Sequence, residues 1–302
     1  MKRNGFTLVE LLVVVGIIAI LSAIMIGVMG GSGDSALAAR CMVNMKNLAS
    51  ACQTYGMANG YYPLAGSVER VSLDEGLGIR NARMHYNELA GWLSWNSNGA
   101  YRSAPSSHVA SYSWFQSAYN QDFDSSEYCY TNGALWRYVS SNRDTYICPS
   151  HARDPRFKHH PPKWSYVMNS YFGWDNSKGA RSKGHGYNGV PYGELARADR
   201  RLLFAEMPFT GVETSIQDDE GSGTQCDCTL QYKAKEGGEL IGFNHKSGKR
   251  DRFGHVVFAD GHAEKLRWPN GGLTQANLKD LTEWLCEGKD VAFNGNRYEE
   301  MK

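Results

Sequence analysis

The longest apolar stretch of the chain lies at its start. Residues 6–29 form a run of 24 positions in which a single residue, Glu10, is charged. As a helix at ~1.5 Å per residue the run spans roughly 36 Å, enough to cross a hydrocarbon core of about 30 Å. Gly30, Gly31, Ser32 and Gly33 then interrupt the helical pattern, and Asp34 or Ser35 offers a cap for a restart. Beyond that point Leu37, Cys41, Met45, Leu48, Cys52 and Tyr55 recur at spacings of four, four, three, four and three, which places them on one helical face. Gly60 and Pro63 close the segment, because proline disfavours helix at the residue before it. The pattern predicts a two-part helix kinked near 30–33: an apolar half over residues 6–29, and an amphipathic half over 34–60 whose stripe packs on a globular head.

The head, residues 61–302, reads as α+β. Residues 64–130 are irregular and rich in Gly, Ser, Asn and Tyr, with one helix predicted over 83–95. Residues 133–150 read as a short helix, a polar turn and a strand ending at Cys148 and Pro149, and 164–173 and 200–209 are β-compatible runs. The strongest local signal is HVVFA, then Asp260-Gly261, then HAEKLRW, a hairpin over 255–268. A type I′ turn is expected there, since Asp-Gly tolerates the positive φ values it demands. In that register Ala259 faces His262, Val257 faces Glu264 and His255 faces Leu266. Apolar residues at 273, 278, 281, 284 and 285 predict a terminal helix over 273–287. The fold expected is a long N-terminal helix packed on an antiparallel β-sheet.

Composition narrows the function. A 302-residue chain with 42% apolar and 21% charged residues is that of a folded protein. Its net charge of +1, with no basic stripe interleaved with aromatics, gives no electrostatic case for nucleic acid. Seven cysteines leave at least one unpaired thiol per chain or an intermolecular bond. Cys41 and Cys52, three helical turns apart, are too distant to pair within a helix. Cys129 with Cys148 is the pairing to test first, although connectivity is not deducible from spacing.

Lys2 and Arg3 precede the apolar run and no basic residue follows until Arg40, which places the N-terminus in the cytoplasm and the head outside. In a secretory signal peptide the small-residue cleavage site follows the apolar stretch; here Gly5 precedes it. A carboxylate four residues into the run costs on the order of 2.5–3.5 kcal/mol and marks Glu10 as a functional candidate. Gly5, Phe6, Thr7, Leu8, Val9 and Glu10, followed by LLVVVGIIAIL, resemble the class III signal of type IV prepilins and type II secretion pseudopilins. The resemblance implies that a prepilin peptidase cuts between Gly5 and Phe6, leaving residues 1–5 as a leader, and methylates the new amine of Phe6. It also implies that Glu10 neutralises that amine on a neighbouring subunit, fixing register more than adding stability.

The C-terminal part resembles a prepilin-associated domain marked by a histidine, nine intervening residues and an Asp-Gly pair, here His245 with Asp260 and Gly261. The Cys-Pro-Ser, Ser-Tyr-Val-Met-Asn and Phe-Ala-Asp-Gly-His segments stand in the expected order. Fourteen residues rather than nine separate His245 from Asp260, as an insertion in the preceding loop would give.

Metal chemistry has several candidates in the sequence, and none is expected to be a site. His255 and His262 would stand about 13 Å apart along the hairpin, too far to share an ion. Cys148 and His151 with Cys226 and Cys228 have an atypical zinc spacing in a compartment that favours disulfides. Asp218, Asp219 and Glu220 offer oxygens to calcium, but without the alternating spacing of an EF-hand loop. No cofactor and no enzymatic activity are expected. The expected function is structural: a subunit held in the inner membrane that assembles through its helix with other pilin-like subunits into a type IV pilus- or type II secretion-like filament. The head of some 240 residues favours a minor or specialised component. The alternatives are a tethered binding module for a polysaccharide or surface ligand, and a metal-dependent hydrolase using His245, His255, Asp260 and His262.

Overall fold

A computed structural model describes residues 7–65, 91–93, 130–131, 133–154, 164–173, 190–208, 229–230, 240–247, 251–269, 272–295 and 297–301, without the side chains of 23–33, Thr229, Ser247, Asp251 and Gln275. Helix α1 (Leu8–Asn59) is a single helix of 52 residues. It runs on through 30–33, where the glycines predict an interruption with a new cap at Asp34 or Ser35. Glycine lowers helix propensity by only about 1 kcal/mol per residue, and flanking turns carry the ladder across. Its N-cap is Thr7, and it stops at Gly60, which takes the left-handed conformation (φ 79°) and returns its N–H to the Gly56 carbonyl. Among the described residues no helix is long and apolar enough to cross a membrane. Residues 23–29 of the apolar run belong to the part of α1 whose side chains are not described.

The second half of α1 is the spine of the head. Cys41, Met45, Leu48, Cys52 and Tyr55 are buried in one core with strand residues such as Phe204, Val256 and Val257. Burying a side chain the size of Leu or Met stabilises by about 1.5–3 kcal/mol, so this stripe fixes the helix on the sheet. Hydrogen bonds add direction. Asn44 donates to the carbonyls of Asp144 (2.8 Å) and Ile147 (3.0 Å), and Gln53 donates to that of Ala259 (3.1 Å).

The sheet contains β1 (Tyr166–Asn169), β2 (Leu202–Glu206), β3 (Thr229–Leu230), β4 (His245–Ser247), β5 (Asp251–Phe258) and β6 (Ala263–Trp268). It is antiparallel except that the two-residue β3 runs parallel to β1. Strand β5 carries β6 along one edge, while β2 and β4 share the other: β2 pairs with residues 256–258 and β4 with residues 251–253. Gly254 and His255 face the gap between them. Helix α3 (Gln275–Glu287) closes the core, capped by the Thr274 side chain and by left-handed Gly288. A separate hairpin, β7 (Val291–Asn294) with β8 (Arg297–Glu300), follows.

Three local expectations need correction. The stretch 133–150 holds no strand: it forms 3-10 turns at Trp136–Val139 and Arg143–Tyr146, and Cys148 is the N-cap of a short helix, α2 (Pro149–Arg153). Proline at the first helical position, with its fixed φ, starts that helix. Gly91, Trp92 and Leu93 do not continue a helix from 83, since Gly91 forms a bridge with Leu64; the rest of 83–95 lies outside the described residues. The hairpin register is one residue off: Val257 faces Ala263, Val256 faces Glu264 and His255 faces Lys265. Only Gly261 takes positive φ (92°), and Asp260 does not, so the type I′ requirement fails. Gly261 N–H bonds Phe258 O, and Phe258 N–H bonds His262 O, the pattern of a three-residue loop with a glycine bulge.

Candidate functional site

Among the described residues, two places stand out for their chemistry. The first is the start of α1. Glu10 Oε2 accepts the Thr7 backbone N–H at 2.8 Å and the Thr7 hydroxyl at 2.7 Å, while Thr7 Oγ1 accepts the Glu10 N–H at 3.3 Å. This reciprocal capping box satisfies helix-end donors that have no intrahelical partner. Leu8, Val9, Leu11, Leu12, Val13, Val14, Val15, Ile17, Ile18, Ile20 and Leu21 are 47–75% exposed, so the head covers none of this part of the helix. Gly5 and Phe6 lie outside the described residues.

The second place is a buried polar cluster where α1 meets α2 and the gap in the sheet. Glu206, at the end of β2, is fully buried and its Oε1 is a shared acceptor. His245 Nε2 lies 3.0 Å from it, His255 Nδ1 2.7 Å, the His255 backbone N–H 3.0 Å and Cys41 Sγ 3.3 Å. Asn244 donates to the other oxygen at 3.0 Å. His245 Nδ1 is 3.2 Å from Ser150 Oγ, and Cys148 Sγ is 3.9 Å from His245 Nε2. The Tyr166 hydroxyl donates to Cys41 Sγ at 3.4 Å.

Electrostatics follow from that geometry. Burial opposes charge on Glu206, but the His245 charge and hydrogen bonds from both histidines outweigh it and hold the carboxyl well below its ordinary range. Burial likewise opposes a charged His245, and the Glu206 carboxylate overrides it, pushing the imidazole up to about 10. Burial pushes the Cys41 thiol well up. At Cys148 burial acts in the same direction, but hydrogen bonds with Cys41 and His245 prevail and bring the thiol down to about 6.

The residues singled out from sequence are distributed differently from the expectations. His245 sits in this cluster, whereas Asp260 and Gly261 form the hairpin turn, Asp260 Oδ1 accepting the His262 N–H at 3.0 Å and lying 2.6 Å from its Nδ1. The hydrolase set is thus split between a buried group, His245 and His255, and an exposed one, Asp260 and His262. Cys148 is a free buried thiol rather than half of a disulfide. Its proposed partner Cys129 lies outside the described residues, as do Cys226, Cys228, Asp218, Asp219 and Glu220. His151 turns to Ser165 Oγ at 2.8 Å. Sequence reasoning missed Glu206 and the role of Cys41. The available signal was an acidic residue inside the apolar run LLFAEM; Cys41 fitted the helix stripe so well that nothing marked it as polar chemistry.

Comparison with known proteins bears on the first place alone. Neither curated proteins nor solved structures gave a match to the chain. Residues 1–26 match the model of the prokaryotic N-terminal methylation motif, so the chain opens with a prepilin-type signal. The match ends at residue 26 and leaves the resemblance of the C-terminal part to the prepilin-associated domain without further support.

Proposed function

We propose that this chain is a structural, pilin-like subunit, matured by a prepilin peptidase that cuts between Gly5 and Phe6 and methylates the Phe6 amine. Residues 6–29 anchor it in the inner membrane with the N-terminus cytoplasmic and the head extracytoplasmic. From there the subunits assemble through their helices into a type IV pilus- or type II secretion-like filament. The observation that carries this reading is the division of α1: its apolar side chains from Leu8 to Leu21 stand exposed all round the helix, while from Ala38 onward one face of the same helix is buried in the head. An apolar surface of that extent needs lipid or other apolar helices around it. Glu10 near its start then pairs with a terminal amine in hydrocarbon, where an unpaired charge is costly.

Intact mass of the protein purified from membranes of cells containing the peptidase tests the reading. The expected product lacks residues 1–5 and carries one methyl group on Phe6. A full-length chain beginning at Met1 in those cells sinks it.

A further inference from the structure

We infer that Cys41, Cys148, Glu206 and His245 form a structural zinc site that ties the N-terminal helix to the head. One ligand atom from each of the four lies within 4.8 Å of all the others, and all four side chains are buried. Zinc binds sulfur at about 2.3 Å and nitrogen or oxygen at about 2.0–2.2 Å, so the edges of its tetrahedron measure about 3.3–3.8 Å. The edges here are 3.0 Å for His245 Nε2 to Glu206 Oε1, 3.3 Å for Cys41 Sγ to Glu206 Oε1 and 3.9 Å for Cys148 Sγ to His245 Nε2. These three edges need movements of a few tenths of an ångström to match the tetrahedron, and the other three, each within 4.8 Å, need at most about 1 Å of closure.

The surrounding groups are those a metal ligand set requires. A ligating imidazole is oriented by a hydrogen bond at its other nitrogen, and His245 Nδ1 has Ser150 Oγ at 3.2 Å. The carboxylate is steadied by Asn244 on one oxygen and His255 on the other. The Tyr166 hydroxyl, 3.4 Å from Cys41 Sγ, supports a thiolate there. On binding, the cation displaces the thiol protons and any proton on Nε2, all of which leave to solvent. Two thiolates, an imidazole and a carboxylate suit zinc, and calcium and magnesium prefer all-oxygen sites. Four protein ligands leave no open position, so the site is structural rather than catalytic. The ligands come from α1, the N-cap of α2, β2 and β4, so one ion would join the helix to three separate parts of the head.

The test uses the full-length chain in detergent, with Cys226 and Cys228 replaced by Ser to remove competing thiols. Elemental analysis is expected to find about one zinc per chain. Cys41 and Cys148 are expected to resist alkylation until the protein is unfolded with a chelator. Cobalt substitution is expected to give a tetrahedral spectrum with a thiolate-to-cobalt charge-transfer band, a readout that needs no ligand variant to fold. In a folded Cys148→Ser variant zinc content should fall at least tenfold. A Cys41–Cys148 disulfide, absence of zinc, a cobalt spectrum without the thiolate band, or full zinc retention in Cys148→Ser would each overturn the inference.

Discussion

Glu206 binds His255 twice, taking its backbone N–H at 3.0 Å and lying 2.7 Å from its Nδ1 with the same carboxylate oxygen. His255 stands where β5 has lost β4 as a neighbour and has not yet gained β2. The carboxylate therefore stands in for a missing strand carbonyl, and a buried backbone donor that would otherwise be orphaned is satisfied. Removing it leaves that donor, His245 and a buried thiol without their common partner. Glu206→Ala should cost about 3–5 kcal/mol, the range for breaking one side of a buried charge pair. The urea midpoint of the full-length protein in detergent, freed of metal by a chelator, measures it, and a midpoint within error of the parent would refute the role given to the carboxylate.

The same gap explains Gly254. A Cβ there would stand 1.9 Å from the Gly242 carbonyl oxygen, a backbone atom that cannot rotate away. Gly242 is itself confined, since its own Cβ would meet the Met207 carbonyl oxygen at 2.5 Å. Chain 240–244 must therefore press closely on β2 and β5 to bring Asn244 and His245 to Glu206. Gly254→Ala should destabilise by at least the 1–3 kcal/mol or so of ordinary overpacking. Gly16→Ala, with nothing within 4 Å of the added carbon, is the control for steric cost. Equal melting temperatures for the two variants would count against the close approach.

At the hairpin turn, Gly261 has φ of 92° and its missing Cβ would lie 3.1 Å from Gln53 Nε2, which donates to the Ala259 carbonyl. Backbone conformation and helix docking thus both disfavour a side chain. Left-handed geometry costs an ordinary residue roughly 1–2 kcal/mol, and Asn tolerates it better. Thermal unfolding should rank Gly261 above Gly261→Asn and that above Gly261→Ala. The reverse order of the two variants would mean that contact with Gln53, rather than backbone strain, sets the cost.

What could be read from the sequence follows the range of the interactions. The stripe from Cys41 to Tyr55, the ends of α1 and α3 and the position of the hairpin depend on spacing and on local residues such as Gly60, Thr274 and Gly288. The hairpin register depends on one further local fact, that Asp260 uses its side chain on the His262 N–H and leaves only Gly261 in a left-handed conformation. That choice moves every cross-strand partner by one. The buried cluster is non-local: Cys41 and Glu206 are 165 residues apart, and Cys148 and His245 are 97 apart. No spacing rule links them; the gap in the sheet and the docking of α1 do.

The hydrogen-bonding role of Glu10 and the charge role proposed for it can be separated. Its carboxylate closes the capping box on Thr7 through contacts of 2.8 and 2.7 Å. Glutamine at the same position closes such a box as well, so Glu10→Gln keeps the start of the helix and should insert in the membrane normally. It cannot neutralise an amine. If the charge of Glu10 pairs with the Phe6 amine of a neighbouring subunit, Glu10→Gln should leave leader removal and membrane content near parental levels while reducing assembled filament severalfold. Thr7→Ala provides the opposite separation, since it removes a cap worth about 0.5–2 kcal/mol and retains the carboxylate. Quantifying filament and membrane fractions for both variants decides the matter. Loss of assembly in Thr7→Ala with normal assembly in Glu10→Gln would assign Glu10 to capping and overturn its role in register.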